Sequence, residues 1–379
     1  MVVAMEIVSP IRTQRVPRTQ RVQTTRNLQG APRPRCLCSV VSFVSFVTLV
    51  SLVPPAAMSA CARRDSTGAR HVRIAIGGQN QMVYLPTTLA QGLGFYRDEA
   101  IDVELQDFAG GAKALQALVG GSADVVSGFY DHTIQMAAEG RELTAFVTML
   151  RFPGLVLLTS PQSAGTVTRI EDLKGRIAGV TTAGSSSQML LTYMLQRHGV
   201  APAAVSVTAI GNAATAIAAI EHGKVDAGMM ADPAFTLVSR RNPGIRVLAD
   251  LRTGAGVNEA FGTHMYPASV LYSKADWIRA NRDTTARLAR VITRTLAWMQ
   301  MHTPQEIAAR TPQSFRGEDD GLYVDALKAS MPMFSPDGLM ESAGAEIVRT
   351  LLASSMEKVR TATIDVSKTY TNEFIPPIK

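Results

Sequence analysis

From residue 71 onward, apolar and polar positions follow two alternating periods whose order predicts the architecture. Residues 71–77 alternate around Val72, Ile74 and Ile76, the period of two that a half-buried strand needs. A polar loop, Gln79-Asn80-Gln81, leads into a helix predicted over 83–97. A second strand over 102–108 ends at Gly110-Gly111. Ala114, Leu115, Leu118 and Val119 then recur at helical spacing, and Gly120-Gly121 stops the helix with a residue suited to the left-handed conformation. A buried strand opens at Asp124 and runs on to Phe129-Tyr130-Asp131. This β-α-β-α-β order predicts an α/β fold with a mainly parallel sheet covered by helices on both faces.

The same order recurs further along the chain. Residues 176–180 read as a strand, 181–187 as a small polar loop and 188–198 as a helix stopped by Gly199. Another strand spans 205–210, and a helix carrying Ala216, Ile217 and Ile220 ends at Gly223. Asp226 opens the next strand, as Asp124 does in the first module. Gly120-Gly121-Ser122-Ala123-Asp124 stands beside His222-Gly223-Lys224-Val225-Asp226, in each case a helix stop followed by a strand-opening Asp. A duplicated lobe is the simplest source of such matching order. Sheets of this kind place ligands beyond the carboxyl ends of their strands, so two facing lobes predict a cleft between them.

Residues 265–271 read as a strand that returns to the first lobe. Helices follow over 274–280, 282–301, 304–310, 321–330 and 337–355, and are expected to pack on lobe one. Leu288, Val291, Ile292, Leu296 and Met299 form an apolar stripe at helical spacing, a core face. The expected division is lobe one over 71–155, lobe two over 156–262, and lobe one again over 263–375. Crossings near 152–159 and 262–267 form the expected hinge.

The first sixty residues have a different character. They carry seven arginines and one glutamate, so they hold six of the chain's formal +7, and the remainder is near +1. An apolar run over 40–53 ends at Pro54-Pro55, and small residues lead to Cys61. A basic region, a short apolar core and small residues mark a secretory signal over 1–60, and the run is short for a membrane span of about 20 residues. Ser59-Ala60-Cys61 also resembles a lipobox, with Met58 where Leu is usual, so lipidation at Cys61 and ordinary cleavage after Ala60 both stand. The expected location is the periplasm or the outer face of the cytoplasmic membrane.

With the leader set aside, no basic patch remains to bind nucleic acid. The cysteines are Cys36, Cys38 and Cys61, so the body has no disulfide framework, thiolate metal site or cysteine nucleophile. The six histidines are scattered without metal-ligand spacing. No P-loop, nucleophile elbow or paired-carboxylate arrangement appears, so neither catalytic residue, metal nor cofactor is expected.

Several stretches together carry a resemblance. They are Leu89-Ala90-Gln91-Gly92-Leu93-Gly94-Phe95-Tyr96, Gly120-Gly121-Ser122-Ala123-Asp124-Val125 and Asp172-Leu173-Lys174-Gly175-Arg176-Ile177-Ala178. Gly184-Ser185-Ser186-Ser187 and Tyr370-Thr371-Asn372-Glu373-Phe374 complete the set. In this order, residues 71–375 resemble binding proteins of the nitrate/sulfonate/taurine and NMT1/THI5-like group. The resemblance implies a type II periplasmic binding protein, not an enzyme, that closes on a small molecule. It also implies a monomer that docks on an ABC permease with its cytoplasmic ATPase.

The loop 181–187 lies between a strand and a helix, where free N–H groups and the helix dipole favour an anion. Gly184 permits close backbone approach, and the resemblance places an anionic group at Ser185 and Ser186, with Thr182 beside them. A plain N-cap is the alternative reading of these serines. In lobe one the strand-end loops offer Gln79, Asn80, Gln81, Tyr84, Gly111, Phe129 and Tyr130, and in lobe two Asn212 and Asp232. Asp131 reads as a helix cap, Asp232 as a turn residue or a ligand contact, and Arg151 as a surface residue. A sulfonate, nitrate or carboxylate suits the serine loop, and a pyrimidine or thiamine-precursor-like heterocycle suits the amides and aromatics equally. A pyrimidine-precursor synthase is the rival enzyme, and its cysteine-rich motif is missing from the body. An effector-sensing domain and a receptor for another transport system are further alternatives.

Overall fold

The computed structural model describes residues 69–377. The leader and Cys61, with the cleavage and lipidation expectations attached to them, lie outside the described residues.

Among the described residues, ten strands form two five-stranded sheets. The first contains β1 (Arg70–Ile76), β2 (Ile101–Asp107), β3 (Val125–Phe129), β4 (Leu143–Thr148) and β10 (Ser269–Lys274), in the order β2-β1-β3-β10-β4. The second contains β5 (Leu155–Thr159), β6 (Ile177–Val180), β7 (Ser206–Ala209), β8 (Ala227–Ala231) and β9 (Val247–Asp250), in the order β7-β6-β8-β5-β9. β1 pairs in parallel with β2 and β3, and β6 in parallel with β7 and β8. In each sheet the fourth position holds one antiparallel strand, β10 or β5. Each is the strand delivered by a crossing from the other lobe, so connectivity explains its reversed direction.

The duplication has a matching hydrogen-bond signature. The Asp124 amide donates to the Arg73 carbonyl at 2.9 Å, and the Arg73 amide donates back to the Asp124 carboxylate at 2.9 Å. Asp226 repeats this with Ile177, at 2.8 Å and 2.9 Å. The shared Asp therefore pins the start of one strand to its parallel neighbour.

Three local differences from the sequence pattern have clear causes. The helix expected over 83–97 is divided into Leu85–Gly92 and Phe95–Asp98, because Gly94 adopts φ 77° between them. The crossing expected near 152–159 is shorter, since Leu155–Thr159 is a fully buried strand at the fourth sheet position. The returning strand starts at Ser269 rather than 265, after Pro267, which has no N–H for a ladder.

The crossings at 149–154 and 262–268 run side by side. The Ala268 amide donates to the Leu150 carbonyl at 2.9 Å, and Tyr266 to Arg151 at 3.1 Å. Leu288, Val291, Ile292, Leu296 and Met299 of the Arg282–Gln300 helix are all buried, as the stripe predicts. This helix packs on lobe one, where Arg294 lies 3.8 Å over the Phe95 ring. Two other C-terminal helices also reach lobe two: Ser342–Ser355 touches Ser186–Arg197, and Asp320–Ser330 touches Ala234–Arg241.

Candidate functional site

The loops at the carboxyl ends of the two sheets meet in direct contact. The Met82 amide of lobe one donates to the Asp232 carbonyl of lobe two at 2.9 Å. Gly110 faces Thr182 so closely that a Cβ at Gly110 would stand 2.8 Å from the Thr182 hydroxyl. Asn212 Nδ2 lies 3.5 Å from both the Gly77 and Phe108 carbonyls, a long, weak contact that bridges the lobes.

Between these contacts lies a pocket lined by Gln81, Tyr84, Gly111, Phe129, Ser185 and Ser186, with Leu155 among the apolar remainder. Its free volume is about 20 Å³, about one water-sized sphere, so a larger solute enters only if the lobes part. Tyr84 and Phe129 meet edge to face with centroids 6.2 Å apart. No Lys or Arg lines this pocket.

The serine loop is folded tightly on itself. Gly184 takes φ 75°, a conformation that suits glycine, and its amide donates to Gln188 Oε1 at 2.7 Å. Ser185 is the N-cap of the Ser186–Arg197 helix but makes no side-chain cap bond. Its hydroxyl donates instead to the Thr182 carbonyl at 2.7 Å. Ser187 accepts from the Thr181 amide at 3.0 Å. Ser186 is the serine that reaches across the cleft, donating to Asp131 Oδ1 at 2.7 Å.

Asp131 starts the Asp131–Ala138 helix in lobe one and is 1% exposed. Its Oδ2 has no hydrogen-bond partner, nor has Nε2 of the adjacent buried His132. The Tyr266 phenol stands beside the Asp131 carboxyl and the Gly184 backbone beside the His132 ring. Burial raises the Asp131 carboxyl above its ordinary value, against the lowering effects of His132 and Ser186. Burial likewise lowers His132, against the pull of the Asp131 charge. Tyr84, Tyr266 and Tyr272 are pushed up by burial, and Asp131 adds to each.

The remaining sequence candidates lie outside this pocket, except Gln81, which borders both cavities. Gln79 is tied to the β2 edge through Asp107 and Leu105. Asn80 and Gln81 border a second cavity of about 160 Å³ with Asp232, Pro233, Phe315 and Arg316. Tyr130 turns its hydroxyl to Thr369 at 2.5 Å, within lobe one. Asp232 is engaged by protein groups: Arg252 at 2.9 Å, Thr236 at 2.6 Å and Ser330 at 3.1 Å. Arg151 is exposed and donates to the Pro332 carbonyl. The sequence pattern favours a helix cap for Asp131 over a ligand role and does not single out His132. The N-cap is Tyr130, and Asp131 and His132 both follow a strand end, where such sheets bind ligands.

The family model described as NMT1/THI5 like matches residues 81–307, more than half of the chain. The chain belongs to the NMT1/THI5-like family. A solved structure from Bordetella bronchiseptica RB50 is 37% identical, with TM-score 0.77, covering 80% of this chain and 95% of that one. The periplasmic aliphatic sulphonate binding protein SsuA from Escherichia coli is 22% identical, TM-score 0.59, covering 79% and 96%. A ligand-binding component of an ABC-type import system from Staphylococcus aureus, solved with zinc bound, is 13% identical, TM-score 0.61, covering 80% and 97%. These neighbours show the periplasmic-binding-protein fold for this family member. A 4-amino-5-hydroxymethyl-2-methylpyrimidine phosphate synthase of Schizosaccharomyces pombe is 26% identical over 146 residues, 38% of this chain and 40% of that protein.

Proposed function

We propose that this chain is the extracytoplasmic solute-binding component of an ABC importer, capturing a small molecule by closing its two lobes around it. The observation that carries this reading is the set of direct contacts between lobes at the strand ends, above all Ser186 to Asp131 and Met82 to Asp232. A solute shifts such an equilibrium only through contacts that differ between open and closed forms, and this pocket is lined from both lobes. The leader over 1–60 supports export, with Cys61 as the lipidation candidate, and the partner is a permease with its ATPase. In this reading the lobes, 71–155 with 263–375 and 156–262, move about the paired crossings, and the chain acts as a monomer.

For the solute class, the helix N-terminus behind Ser186 supports a hydrogen-bond acceptor such as a sulfonate, nitrate or carboxylate. The buried Asp131 opposes a second negative charge in the same place, which supports the heterocyclic alternative. Nothing in the cleft favours the synthase reading, since residues 69–377 contain no cysteine.

The test is small-angle scattering and calorimetry of the full chain against a panel of sulfonates, nitrate, carboxylates, pyrimidines and amino acids. A bound solute that lowers the radius of gyration is the expected result. Chemical turnover of a bound pyrimidine, followed by mass spectrometry, would overturn it.

A further inference from the structure

We propose that the solute is recognised through a hydrogen-bond-donating nitrogen, an amine, amidine or amino-heterocycle, received by Oδ2 of Asp131. This rests on the solute-binding reading and names the ligand chemistry of that site.

Three observations converge. First, Asp131 is 1% exposed, and its Oδ2 has no partner while Oδ1 is held by Ser186 of the opposite lobe. A carboxylate accepts several hydrogen bonds, and a buried one left with an unused oxygen is under-satisfied. Secondly, the charge is uncompensated. No Lys or Arg lines the pocket, and Arg252, the cation beside Asp232, is committed to Asp232 and Asp250. Thirdly, the serine hydroxyls of the loop are already engaged, Ser185 with Thr182, Ser187 with Thr181, and Ser186 with the carboxylate itself, so Thr182 Oγ1 is the hydroxyl there without a partner.

A donor nitrogen satisfies the unused oxygen and supplies the missing positive or partly positive partner. Tyr84 and Phe129 are flat apolar walls of the pocket that Ser186 borders, with Asp131 bonded behind Ser186, and they suit a ring or a planar amidine. The free amides at the start of the Ser186–Arg197 helix can then donate to an acceptor on the same ligand. An anion, by contrast, would place like charge against a buried carboxylate.

The experiment titrates the full chain with 4-aminopyrimidine, acetamidine and methylamine in one series, and methanesulfonate, nitrate and acetate in another, for wild type and Asp131→Asn. Binding is read by calorimetry and folding by circular dichroism. The expected result is binding of at least one nitrogen donor, weakened tenfold or more in folded Asp131→Asn, with the anions silent. Binding of an anion alone would overturn the inference and leave the solute-binding reading standing. Equal affinity of a donor for wild type and Asp131→Asn would also overturn it. Silence from every probe would count against both. Should Asp131→Asn fail to fold, the wild-type series still decides by the class of probe that binds.

Discussion

Ser186 of lobe two donates a 2.7 Å hydrogen bond to Asp131 of lobe one, joining residues that lie 55 apart in the chain. Both atoms are buried, so losing the donor leaves a carboxylate oxygen unsatisfied, at about 1–3 kcal/mol. That cost falls on the closed form alone, because an open cleft returns the carboxylate to water. Ser186→Ala therefore shifts the equilibrium towards the open form, read as a larger radius of gyration. Solute affinity in the Ser185→Ala, Ser186→Ala double variant falls about tenfold, or 1.4 kcal/mol. Ser185→Ala alone has the smaller effect, since its hydroxyl stays within its own loop.

Gly110 tests closure without touching any hydrogen bond. Its φ of 170° is extended backbone that any residue adopts, so Gly110→Ala imposes no strain on lobe one. The added Cβ would meet the Thr182 hydroxyl at 2.8 Å and its methyl at 2.9 Å, across the cleft. Gly110→Ala is expected to keep the wild-type melting temperature within a few degrees yet lose solute affinity tenfold or more. Unchanged affinity by calorimetry would show that the lobes do not meet here in the bound form.

The buried ion pair below the cleft is structural. Asp232 is 1% exposed and Arg252 only 12% by side chain, with their charged atoms 2.9 Å apart. Arg252 also lies 4.7 Å over the Phe235 ring. Arg252→Met removes one partner and leaves a buried charge, which destabilises by about 3–5 kcal/mol. Asp250 is more exposed and relaxes into water, so Asp232 carries most of the effect. Urea denaturation should show the lower midpoint with an unchanged slope.

The repeated β-α-β-α-β order was legible because period-two strands, glycine stops and Asp124 and Asp226 recur in register. The Arg282–Gln300 stripe was legible for a similar reason, since one helix face sets its own period. Sheet position was not legible for β5, since a fully buried strand such as Leu155–Thr159 has no alternation to read. The site divided in the same way. The serine loop announces itself locally, between a strand and a helix. Asp131 does not, because its partner Ser186 belongs to the other lobe and local sequence supports a cap equally well.

Asp131 should make the unliganded protein less stable at neutral pH than it need be. Burial raises its folded pKa above the unfolded value of about 3.9. The folded form therefore holds the proton more tightly, and stability is fully present below that unfolded value. It is lost progressively as pH rises from there through the raised folded pKa. The groups that face this carboxyl are His132, Tyr84, Tyr266 and Tyr272. His132 is lowered by its own burial and the tyrosines are raised, so none of them supplies a fixed positive charge near neutrality. Asp131→Asn removes the titration while keeping an oxygen for Ser186. Its melting temperature should exceed that of wild type at pH 7 to 8, by a few degrees per kcal/mol recovered, and the gap should close near pH 4. An Asn variant that melts below wild type across this whole range would mean the carboxylate is stabilised in the closed cleft rather than held there at a cost.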